Sequence, residues 1–168
     1  MTSFSLKQAT PEHSSIILGF IKGIAEYEKL SHEVQITEEL IFDGLFSTNA
    51  NAKAIIAYEN DTPIGFALYF FNYSTFVGKK GLYLEDLYVI PEKRGMGYGT
   101  KMFTYLANMA VTENCGRFEW SVLDWNTPAI NFYKQMGAVA MNEWTVYRLQ
   151  SDALVKVAQA YKEKDSVL

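Results

Sequence analysis

The hexapeptide Arg94-Gly95-Met96-Gly97-Tyr98-Gly99 constrains this chain more than any other stretch. It stands between Leu82–Ile90, a run rich in β-formers, and Thr100–Thr112, a run with helical periodicity. Pro91 ends the first run, because proline cannot donate to a ladder. Met102, Phe103, Leu106, Met109 and Ala110 make one apolar stripe along the second. Alternating glycines at a strand-to-helix turn leave a backbone corner bare. Several main-chain N–H groups can then converge at the positive end of a helix. Such a corner suits an anion, with phosphate or pyrophosphate the natural choice. A glycine turn with no ligand is the alternative.

Three phosphate motifs are excluded. A Walker loop requires Gly-Lys-Ser/Thr at the helix start, whereas the order here is Gly99-Thr100-Lys101. The dinucleotide fingerprint requires G-x-G-x-x-G, but Gly95, Gly97 and Gly99 are spaced two apart. The kinase loop fails on the same spacing and belongs to a far longer chain.

Size and composition set the remaining bounds. The 168 residues fit one domain, with a core over 4–149 and a C-terminal helix over 151–164. A chain of this size buries about 70% of its unfolded surface, enough for a core without disulfides or metal. A net charge of −4 argues against nucleic acid as a partner. Cys115 is the only cysteine, so no intrachain disulfide forms and the cytoplasm is the expected compartment. With two histidines and no ligand-like spacing, no metal site is expected. No secretory leader or membrane span is expected either.

Strand and helix patterns alternate along the chain. Ser3–Ala9 reads as a strand, followed by a helix with Thr10 and Pro11 at its start and Ile16, Ile17, Phe20, Ile21, Ile24 and Ala25 on its apolar face. Thr37 caps a second helix carrying Leu40, Ile41 and Leu45. Ala52–Glu59 and Ile64–Tyr73 form a hairpin around Asn60-Asp61-Thr62-Pro63, and 72–80 is a loop. Arg117–Leu123 is a strand, and Asn126 or Thr127 caps a short helix closed by Gly137. Ala138–Met141 and Trp144–Gln150 read as a final hairpin before the terminal helix. The expected fold is α/β, with flanking helices on a mixed, mostly antiparallel twisted sheet of about seven strands.

Arg94-x-x-Gly97-x-Gly99 has the form [Q/R]-x-x-G-x-[G/A], which resembles the acetyl-CoA pyrophosphate loop of the GNAT acetyltransferases. Trp125–Ala138 resembles that family's second signature, N-x-x-[AS]-x-x-[FL]-Y-x-x-x-G-F, at the expected distance downstream. Within the family the likeness extends to the spermidine/spermine and thialysine enzymes. Ile21-Lys22-x-x-Ala25-x-Tyr27-Glu28, Leu84–Val89 and Asp124–Tyr133 each resemble segments of those proteins. The chain departs from them at the short 60–63 turn and at Phe76, where tryptophan is common.

The resemblance implies roles. Acetyl-CoA is the implied co-substrate, its pyrophosphate cradled by Arg94, Gly95, Met96, Gly97, Tyr98, Gly99 and Thr100. Leu87, Tyr88 and Val89 correspond to a splayed strand whose backbone meets the pantetheine arm. Asn126, Thr127, Pro128 and Ala129 correspond to residues along that arm. Tyr133 matches the family's general acid. A phenol with pKa about 10 can protonate a thiolate whose conjugate acid is near 8.5. An amine acceptor with pKa about 10.4 must first lose a proton. Glu85 matches a substrate-contacting acid and can pass that proton through water. Glu85 and Asp86 are strand neighbours, so at most one is expected to face a given cleft. Tyr27, Glu28, Glu119, Trp120 and Ser121 match further acceptor contacts. The implied function is acetyl transfer to a small polycationic amine by a homodimer. Transfer to a protein or antibiotic amine, and a non-catalytic CoA-binding dimer, are the rivals.

Overall fold

The computed structural model describes residues 2–164. Contacts gather into two units, Met1–Ser121 and Val122–Leu168. In the first unit the strands are β1 (Phe4–Gln8), β2 (Lys53–Glu59), β3 (Thr62–Ser74), β4 (Lys79–Val89) and β5 (Arg117–Trp120). They lie in that order in one sheet. The first four pair antiparallel, and β5 pairs parallel to β4. Helices α1 (Ser14–Tyr27) and α2 (Glu38–Phe46) precede β2, and α3 (Tyr98–Thr112) joins β4 to β5.

One face of the sheet packs on α1 and α2. Ile17 and Phe20 of α1 and Ile41 of α2 bury against Ala54, Ile56, Phe66 and Tyr88. The opposite face takes α3, whose Phe103 ring lies 5.1 Å from Phe118 and 5.0 Å from Trp120. α1 and α3 thus turn the apolar stripes that their sequence periods define to the sheet, whereas α2 buries Ile41 and leaves Leu40 exposed. Thr37 caps α2 as expected, its hydroxyl accepting from the Leu40 N–H at 3.2 Å.

The expected loop over 72–80 is mostly strand. Tyr73 pairs with Lys80 and Ser74 with Lys79, so the hairpin closes on a short turn. A long ladder carries polar residues such as Asn72, Ser74, Lys79 and Lys80 once its apolar interior sets the register.

In the second unit the helices are α4 (Thr127–Gln135) and α5 (Ser151–Lys164). The expected hairpin of Ala138–Met141 and Trp144–Gln150 is not formed among the described residues, and the sheet has five strands rather than about seven. Alternation of apolar residues marks two faces, but a strand exists only where a partner edge completes its ladder. The bond from the Trp144 N–H to the Met141 carbonyl, at 3.1 Å, is a local turn rather than a ladder. No helix among the described residues is long and apolar enough to cross a membrane.

Candidate active site

The β4–β5 ladder ends early. Gly81 to Leu84 pair with Arg117 to Trp120, while β4 runs on to Val89 paired with β3 alone. The Ile90 N–H donates to the Ile64 carbonyl on the β3 side. By strand alternation the main-chain groups of Leu87 and Val89 turn to the other edge, where no described strand pairs with them. Backbone groups at such an edge need partners. Arg94 supplies one, its Nε donating to the Val89 carbonyl at 2.9 Å.

A β-bulge interrupts β4 just there. Tyr69 pairs with Leu84 but Leu68 pairs with Asp86, so Glu85 is the extra residue. The bulge changes which carboxylate faces which way. Asp86 shares the face of Leu68 and Tyr88, toward α1, and is half-buried, whereas Glu85 is exposed. Burial pushes the Asp86 carboxyl up to about 6, and the charges of Glu85 and Glu28 push it the same way. Burial also raises the Glu28 carboxyl.

Glu28 and Tyr27 are fixed by the end of α1. The Leu30 N–H donates to the Ala25 carbonyl at 2.8 Å and the Lys29 N–H to the Glu26 carbonyl at 3.1 Å, with Lys29 left-handed at φ 63°. This is a Schellman cap built without glycine. The Arg94 guanidinium then lies 4.7 Å from the centre of the Tyr27 ring and 5.4 Å from that of Tyr88. Cation–π contact and the bond to Val89 thus tie the end of α1 to the end of β4. Gly23 makes this approach possible, since a Cβ there would sit 2.4 Å from the Tyr88 hydroxyl. Tyr27, Glu28, Asp86, Tyr88 and Arg94 are therefore brought together.

The glycine elbow follows. Gly95 and Gly97 are left-handed, at φ 76° and 80°. Gly97 is the N-cap of α3 and has no side chain to offer the first-turn N–H groups. A Cβ added at Gly95, Gly97 or Gly99 meets no atom within 4 Å. Packing within the protein does not require these glycines. Two are required by the turn, and all three leave open space at the N–H-bearing end of a helix. Open space, bare N–H donors and helix polarity together fit a diphosphate.

On β5, Glu119 and Trp120 face opposite sides of the sheet. The Glu119 carboxylate pairs with Arg117 Nε at 2.8 Å and accepts from Asn72 Nδ2 at 3.3 Å. Trp120 packs on Phe103 beneath α3. Ser121 Oγ bonds the Tyr83 hydroxyl at 2.8 Å.

In the second unit Asn126 is the N-cap of α4, its side-chain oxygen accepting from the Ala129 N–H at 3.4 Å. Thr127, Pro128 and Ala129 form the first turn, with proline where its missing N–H costs nothing. Gly137, at φ 86°, closes the helix. Its N–H donates to the Lys134 carbonyl, and the Ala138 N–H donates to the Tyr133 carbonyl, both at 3.0 Å. This Schellman cap locks the backbone of half-buried Tyr133, whose ring centre lies 5.4 Å from that of Phe132.

Asp86 is the residue that sequence reasoning passed over. Alternation lets only one of the adjacent carboxylates into a given cleft, and the family resemblance points to Glu85. The bulge that reverses the facing depends on pairing with β3 and has no signature within β4 itself.

Comparisons with known proteins agree with this geometry. The acetyltransferase (GNAT) family model matches residues 21–138. Thialysine N-epsilon-acetyltransferase from Mus musculus is 36% identical over 94% of this chain and 99% of that protein. L-ornithine N5-acetyltransferase from Arabidopsis thaliana is 47% identical over 56% of this chain and 42% of that protein. Among solved structures, an integron cassette protein from the mobile metagenome of V. cholerae superposes with a TM-score of 0.79 at 29% identity, covering 94% of this chain and 98% of that one. The glycine elbow, the parted strand and the capped tyrosine helix thus belong to a member of the GNAT family, an acetyl-CoA-dependent N-acetyltransferase.

Proposed function

We propose that the chain acetylates one amino group of a small acceptor carrying a second positive charge, such as thialysine, ornithine or a polyamine. The observation that carries this reading is the bulge at Glu85. It sets the half-buried Asp86 carboxylate, with the Glu28 and Glu85 carboxylates nearby, beside the end of β4 that β5 does not reach. Three carboxylates within electrostatic reach favour a dication over a monocation. The similar mouse and Arabidopsis proteins are named for thialysine and ornithine, both diamino acids.

The residues divide the work. Gly95–Thr100 main-chain N–H groups and Arg94 hold the diphosphate of acetyl-CoA, which supplies the activated acetyl thioester. Leu87 and Val89 pair with the pantetheine arm along the open β4 edge. Glu28, Asp86 and the Tyr27 hydroxyl engage the acceptor's ammonium groups. Asp86 or Glu85 relays the proton that the attacking nitrogen must lose. A carboxylate at about 6 is a better base than an ordinary aspartate by about two pK units. Tyr133 carries a proton at Oη for the departing sulfur.

CoA release measured against a panel of amines tests the acceptor class. Thialysine, ornithine and spermidine should give kcat/KM about 100-fold above butylamine or tyramine, as expected for a second ammonium engaging a half-buried carboxylate. Equal use of monoamines and diamines would refute the dication reading.

A further inference from the structure

One carboxylate spans the freest part of the elbow. Glu59, the last residue of β2, accepts from Lys93 Nζ before the glycines and from the Tyr98 hydroxyl after them. Tyr98 is the first residue of α3 and is only 8% exposed. Its ring stacks on Phe4 of β1, with centroids 5.3 Å apart and planes 17° apart. Lys101 covers the same pair, its Nζ 4.9 Å from the Phe4 ring and 5.5 Å from that of Tyr98. The platform beneath is itself tied. The Asn60 N–H donates to the Ser3 carbonyl at 2.7 Å, and the Ser3 N–H donates to Asn60 Oδ1 at 3.1 Å. The bonds from Lys93 and Tyr98 hold the Glu59 carboxyl below its ordinary range, and Glu59 in turn raises the Tyr98 phenol.

We propose that Glu59 and Tyr98 are positioning residues. They staple the two ends of the 94–97 segment to β2 and so preorganise the elbow N–H groups for a diphosphate. The proposal rests on the reading that this elbow holds acetyl-CoA. Its physical basis is entropy. Glycines populate more backbone states than other residues, so an unstapled elbow would have to be ordered by the ligand at the expense of affinity. Neither side chain is needed to touch the ligand for this effect. The role is separate from charge attraction, since Glu59 brings a negative charge toward an anion site.

The test uses the full chain with Tyr98→Phe, Glu59→Ala, Glu59→Gln and the Tyr98→Phe/Glu59→Ala double variant. Steady-state kinetics, acetyl-CoA calorimetry and thermal melting are measured on each. Tyr98→Phe keeps the stack on Phe4 and loses only the hydroxyl bond. It should raise the acetyl-CoA KM and Kd about three- to tenfold, the range for one lost hydrogen bond. At saturating acetyl-CoA, kcat and acceptor KM should stay within about twofold of wild type. Glu59→Ala should act in the same direction, although removal of its charge alone would tighten anion binding. Glu59→Gln keeps a carbonyl acceptor for Tyr98 and should recover part of the loss. The double variant should be no worse than the weaker single one, because both break one staple.

An unchanged acetyl-CoA KM in Tyr98→Phe, with normal wild-type affinity, would overturn the staple alone. A lowered melting temperature with kcat and acceptor KM both impaired would also overturn it, by showing a general folding role. Absence of acetyl-CoA affinity in the wild type would instead overturn the underlying cofactor reading, and the staple with it.

Discussion

Asp86→Asn should make the protein more stable and the enzyme worse. Burial and the charges of Glu85 and Glu28 raise the Asp86 carboxyl from 3.8 to about 6 in the folded chain. A carboxyl whose folded pKa is raised adds stability below its unfolded pKa and loses that contribution as pH rises through the folded value. At pH 7 to 8 the ionised Asp86 therefore opposes folding. Asparagine removes that charge and keeps the shape. The expected gain is about 1–2 kcal/mol at pH 7.5, discounted for the partial exposure of the site, and it should vanish below about pH 4. Thermal melts of both proteins across pH 4–8 check this. The same substitution removes the carboxylate proposed to meet the acceptor. Acceptor kcat/KM should fall about 100-fold, with acetyl-CoA affinity unchanged. In the wild type, acceptor kcat/KM should decline as pH drops through about 6, as Asp86 takes up its proton. Opposite signs in stability and activity mark a group held at a cost to folding for a function. Loss of both together would make Asp86 a structural residue.

Tyr133→Phe carries the other large effect. The α4 helix is capped at both ends, by Asn126 and by Gly137, so the Tyr133 backbone is set by local bonds rather than by its hydroxyl. Phenylalanine preserves the helix and the contact with Phe132. If the phenol delivers the proton to the departing sulfur, kcat should fall about 100-fold or more, the usual scale for a lost general acid. The acetyl-CoA Kd should change less than about threefold, because the proton goes to the departing thiolate, which the bound thioester does not yet carry. Unaltered kcat would remove the acid role. A parallel loss of affinity and melting temperature would indicate packing.

Legibility in the sequence followed how local each cause was. The elbow was legible because positive φ and bare N–H groups are encoded by glycine itself at Gly95 and Gly97. The α4 caps were legible for the same reason, since Asn126 and Gly137 act within a few residues. The facing of Asp86 was not, because the bulge at Glu85 arises from pairing with Leu68 and Tyr69, distant in sequence. The Glu59 staple was equally hidden, as it joins residues 34 and 39 positions apart. The contacts of Glu119 with Arg117 and Asn72 were hidden in part, since Asn72 lies 47 positions away. The C-terminal hairpin failed because alternation reports side-chain faces and says nothing about whether an edge is available.

Amide hydrogen exchange with and without saturating acetyl-CoA tests the core of the account, that the open β4 edge and the elbow hold this substrate together. Slower exchange is predicted at the Leu87 and Val89 amides and across 95–100, with little change at the β4 amides that pair with β3. Saturable acetyl-CoA binding that leaves Leu87, Val89 and the elbow amides at their ligand-free rates would contradict it.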